Sequence, residues 1–148
     1  MNWINIFGLS VVILMLLPNL IYAIKTKTFE NKCKNKAMNL LEQIGRYGSM
    51  FFMVFNIGLY EFGFRSNAEF VIWLIVTILL LLLYWLFWFI FFRSPHNTLP
   101  MLLAILPSAI FIITGLFLQH WLLLISGILF SIGHIYVTYQ NNQANHNN

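Results

Sequence analysis

Glu42, Arg46, Ser49 and Asn56 follow one another at spacings of four, three and seven residues, so a helix would carry them along one face. Asn39 extends that face towards the N-terminus, Gln43 sits beside it and Met53 interrupts it. His134, with Tyr136 close by, and Asn19, just after Pro18, interrupt two other apolar runs. A carboxylate, a guanidinium, an imidazole and an amide brought together could bind a zwitterion or relay a proton. The imidazole is the member that changes charge near neutral pH. Ionisable groups inside apolar spans are energetically costly and are functional candidates by default. The candidate cluster is therefore Asn19, Glu42, Arg46, Asn56 and His134, of which Asn19, Glu42, Arg46 and His134 are expected to converge from three spans at similar depth, with Asn56 deeper along the second.

A structural reading of the same residues stands beside this one. Glu42 and Arg46 are at i, i+4 in the favourable order and can neutralise one another. Asn19 is placed to satisfy the carbonyl that Pro18 leaves without a donor. His134 can hydrogen-bond between helices as packing glue.

Other chemistry finds little support. The single cysteine, Cys33, has no internal disulfide partner, and among lysines it reads as a solvated loop thiol. His96, His120 and His134 would fall on two sides of a bundle, which disfavours shared ligation. The sequence has no HExxH, paired-cysteine or Walker pattern. No metal or cofactor is expected, and with no basic stripe carrying aromatic readers, no nucleic-acid partner either.

The elements that must position the cluster are read from composition. Of 148 residues 60% are hydrophobic and 8% charged, against about a quarter charged in soluble domains. A chain this short cannot hide so much apolar surface from water. Several runs approach the ~20 residues needed to cross a bilayer. The expected fold is an all-α integral membrane bundle of about five spans, at residues 3–24, 37–60, 70–92, 101–118 and 121–139. The polar tail, 140–148, is expected to be disordered. The first apolar run has no basic residue before it and reads as a retained helix rather than a cleaved leader. The least certain boundary lies at Gln119-His120, where a re-entrant pair is the alternative to two full spans.

Orientation follows from the basic residues. Five of the eight, Lys25, Lys27, Lys32, Lys34 and Lys36, crowd one loop, and Arg93 falls on the same side under five spans. The opposite side holds Arg65. This bias predicts an outside N-terminus and a cytoplasmic C-terminus. The five lysines are expected to contact anionic lipid, at about 1 kcal/mol each. Richness in Ile, Asn, Lys and Phe suggests an AT-rich gene and a bacterial plasma membrane.

Small-residue pairs, Gly45 with Gly48, Ala104 with Ser108 and Gly127 with Ser131, allow close helix packing or association with a membrane partner or a second copy. Three functions fit, in this order: a non-enzymatic accessory or interaction component, a small oligomeric transporter or channel using the polar cluster, and a membrane enzyme acting on lipid head groups with His134 or Glu42 as base.

Overall fold

The computed structural model describes residues 3–26, 31–94 and 98–146. They form five helices: α1 (Ile6–Lys25), α2 (Lys36–Val54), α3 (Asn67–Arg93), α4 (Leu99–Phe117) and α5 (Trp121–His146). Of these, α1, α3, α4 and α5 are long and apolar enough to cross a membrane. Lys27 and His96 lie outside the described residues.

Side-chain caps set the helix starts. Asn5 accepts from the Gly8 amide, Asn35 from the amides of Ala37 and Met38, and Ser66 from that of Glu69. The Glu69 carboxylate turns back to accept from the Arg65 amide at 2.8 Å. This Ser-x-x-Glu arrangement starts α3 at Asn67, ahead of the expected residue 70.

The expected second span, 37–60, is corrected. α2 ends at Val54, where the chain turns extended. The segment before α1 pairs antiparallel with the segment after α2: the Asn5 amide donates to Val54, and that of Asn56 to Trp3 at 3.0 Å. Beyond this bridge, the Gly63 amide donates to Leu118 at 2.8 Å, holding the 55–66 connection against the turn between α4 and α5. These bonds replace the helical ladder that hydropathy alone would continue.

The α4–α5 turn is as tight as the sequence suggests. Gln119 takes φ +52°, its amide donates to Leu116, and the His120 amide reaches back to Gly115 at 2.9 Å. This pairing is a Schellman motif, with glutamine in the left-handed position that usually takes glycine. α4 has 19 residues, about 28 Å of helix, which by length and composition is enough to cross a membrane.

The expected disordered tail, 140–148, is also corrected. α5 runs through His146, with residues 147 and 148 outside the described residues. Polar contacts support the extension. Gln143 donates to the Tyr139 hydroxyl, and Asn141 accepts from the Lys32 amide at 2.9 Å. Cys33, read as a solvated thiol, is buried in the same loop, where its amide donates to the Asn31 side chain.

The core joins α1, α3 and α4 through aromatic side chains with polar handles. Trp73 on α3 donates to Thr114 on α4 at 3.1 Å, and both are buried. Pro18 lacks the amide that would bond the Leu14 carbonyl, and the Trp85 indole N–H fills that role at 3.1 Å. Tyr84, 1% exposed, receives Asn19 at 2.8 Å.

Candidate functional site

The charged cluster lies where α2 meets α5, and glycines bring those helices together. A Cβ on Gly45 would collide with the backbone of Phe130, and one on Gly133 would come within 2.7 Å of the Glu42 Cα. Neither obstacle is a side chain that could rotate away. Each helix therefore places its glycine against the other's backbone, next to Arg46 on α2 and next to His134 on α5. Gly45, singled out in the sequence, has this role. Gly133 was missed, although it adjoins His134.

Glu42 is the centre of the site. It is 8% exposed, and its Oε1 accepts from Arg46 one turn along α2 and meets His134 Nδ1 of α5 at 2.8 Å. With Glu42 ionised, its carboxylate can only accept, and the hydrogen of this contact would then be on Nδ1. Phe130, one turn before His134, is a platform for both partners. The His134 ring stacks on it at 4.7 Å and 16°, and the Arg46 guanidinium lies over it at 5.9 Å. Phe130 was also missed. Its i−4 spacing from His134 was the available signal.

Not every predicted member joins this triad. Asn19 bonds to the Met15 carbonyl and the Tyr84 hydroxyl, linking α1 to α3. Its expected role at the carbonyl freed by Pro18 is taken by Trp85. Asn56 lies beyond the end of α2, in the bridge to Trp3. Asn39 closes the preceding loop, donating to the Cys33 carbonyl and accepting from Asn31. Convergence is thus confined to Glu42, Arg46 and His134. The cavities at the helix ends, one beside Phe62 and His120 and one beside Lys25 and Arg93, include none of these three in their linings.

His120 serves the opposite end of the bundle. It caps α5, its Nδ1 accepting from the Leu123 amide at 3.2 Å, with the Phe62 ring 4.1 Å away. Burial pushes the imidazole below its ordinary pKa, and protonation of Nδ1 would remove the cap's acceptor. With the folded pKa depressed, this contribution to stability is complete above the unfolded value of about 6.5 and is lost as pH falls.

The basic residues collect at the other end. Lys25, Lys32, Lys34, Lys36 and Arg93 are exposed there, and the Lys32–Asn141 bond ties their loop to the end of α5. Arg65 lies at the end with the Ile4–Phe55 bridge and the α4–α5 turn. Compared with known protein families, with curated proteins and with solved structures, the chain matches none.

Proposed function

We infer that this chain is a non-enzymatic component of a membrane, a small accessory or interaction subunit whose five helices all span the bilayer. α2 is the deciding element. Its polar and small residues Glu42, Gly45 and Ser49 are buried, whereas Leu40, Ile44, Tyr47 and Phe51 are exposed at helical spacing. An apolar stripe outside and a polar stripe inside is the reverse of a helix facing water, and it suits a helix with lipid on its outer side. Part of the low overall hydropathy of α2 comes from Glu42 and Ser49 on its buried face, while Gln43 is a polar side chain exposed among the apolar ones.

The observation that carries the non-enzymatic reading is the closure of the triad on itself. The Glu42 carboxylate takes both Arg46 and His134, at a contact where glycines leave no gap between the helix backbones. A carboxylate committed in this way locks two helices together. Outside the lock, α1 and α3 present broad apolar faces, including Leu20, Ile24, Leu79, Leu82 and Phe89, to lipid or to a membrane partner. The clustering of lysines and Arg93 at one end supports an N-out, C-in orientation, and the richness in Ile, Asn, Lys and Phe favours a bacterial plasma membrane as its setting.

Native mass spectrometry of the protein extracted in nanodiscs tests this reading. The expected result is a stoichiometric protein partner that stays bound when Arg46 is replaced by lysine. A homo-oligomer that carries a small solute, and loses it on Glu42→Gln, would contradict it and favour transport. That alternative draws on Arg46, whose side chain is 39% exposed.

A further inference from the structure

The last residues of α1 and α3, Lys25 and Arg93, share a flared cavity of about 380 Å³ with Phe89 and Phe92. The Lys25 ammonium sits 5.0 Å from the centre of the Phe92 ring. Phe92 is held from behind by Trp88 at 5.2 Å and Tyr22 at 6.4 Å, so the wall is built of packed rings. Among the described residues, neither cation has a carboxylate partner. Towards mid-bundle the two helices that line it carry exposed apolar side chains, Ile21 and Ile24 on α1 and Leu86 and Phe89 on α3.

From this juxtaposition we propose that the cleft between the ends of α1 and α3 is a binding site for an anionic phospholipid, with Lys25 and Arg93 on its phosphodiester and the apolar groove along its acyl chains. The proposal rests on the membrane reading and deepens it. The loop lysines attract anionic lipid diffusely, whereas this cleft has two cations from different helices lining one cavity with two aromatic rings. Arg93 supplies a planar fork suited to phosphate oxygens, and Lys25 a compact charge. A free phosphate ion would satisfy the cations but not the groove. The amphipathic ligand satisfies both.

The test uses the full-length protein in mixed micelles, with phosphatidylglycerol and phosphatidylcholine of identical acyl chains as probes. Retention is read by native mass spectrometry. Two cations at about 1 kcal/mol each predict a preference for phosphatidylglycerol of about thirtyfold. Lys25→Gln with Arg93→Gln should abolish that preference. Lys34→Gln with Lys36→Gln, which removes the same charge from the same end of the bundle, should lower it far less, because those lysines attract anionic lipid only diffusely. Exchange to Lys25→Arg with Arg93→Lys should retain most of it and remains informative if the glutamine pair fails to fold. Equal retention of the two lipids by the wild type, equal loss in both glutamine pairs, or displacement of the lipid by millimolar inorganic phosphate would each overturn the proposal. Extraction from membranes by alkaline carbonate separates the two levels. A protein that washes off sinks the membrane reading, and one that stays without lipid preference sinks the site alone.

Discussion

Gly45→Ala is expected to destabilise the bundle by about 3 kcal/mol, although alanine is the better helix former by about 1 kcal/mol. The added methyl would meet the Phe130 amide and Cα and the Leu129 carbonyl carbon, all of them backbone. The only relief is to move α5 away from α2. A shift of even half an ångström or so stretches the 2.8 Å contact between Glu42 and His134 and opens the packing along both helices. Gly48→Ala is the control. Its methyl would approach the Ser126 hydroxyl at 2.9 Å, which can rotate away, and the Ser126 Cβ at 3.3 Å, which asks for a shift of only a few tenths of an ångström. Its cost should stay below about 1 kcal/mol. Denaturant unfolding in micelles compares the two. Equal effects at both positions would refute the backbone contact that places the charged site.

Glu42→Leu is expected to cost about 3 kcal/mol, because it leaves Arg46 and His134 without their shared acceptor. The figure belongs at the low end of the range for broken buried pairs, since the Arg46 side chain is 39% exposed and recovers some solvation. Arg46→Gln, for the same reason, should cost about 1 kcal/mol or less. His134→Ala removes one interhelical bond and should cost about 1 to 2 kcal/mol. Replacing both charges, Glu42→Leu with Arg46→Leu, should recover part of the loss, because no uncompensated charge remains. The double-mutant cycle for residues 42 and 134 should give a coupling of about 1 kcal/mol. Zero coupling, with Glu42→Leu as stable as the wild type, would mean that the triad contributes nothing to joining the helices.

Legibility in the sequence followed whether the deciding interaction was local. α1, α3, α4 and α5 are marked by hydropathy and the start of α4 by its Pro100, whereas the Ser66 and Glu69 cap that starts α3 was missed in a span expected from residue 70. The Glu42–Arg46 pair is legible because i, i+4 residues share a helix face. His134 was placed beside them by matching depths along two spans, a longer-range argument that the 2.8 Å contact agrees with. Beyond the local signals missed at Ser66 and Phe130, the misreadings lie where distant segments decide. α2 stops at Val54 because residues before α1 bond to its end, and hydropathy carries no signal for that pairing. Asn19 turns to Tyr84, 65 residues away, so its role depends on which helix packs against α1. The polar run after Tyr139 lacks apolar periodicity, yet continued helix and the Asn141 contact with the Lys32 amide order it.

The central claim is that α2 crosses the bilayer with its polar face turned towards α5, giving five spans and termini on opposite sides. Single-cysteine labelling tests it most directly. With Cys33 replaced by serine, Lys36→Cys at the start of α2 and Leu59→Cys after its end place exposed thiols at either end of the helix. A membrane-impermeant maleimide is then applied to right-side-out and to inverted vesicles. The account predicts that Leu59→Cys labels from outside and Lys36→Cys only in inverted vesicles. Labelling of both positions from the same side would mean that α2 does not cross, and the five-span reading would be contradicted.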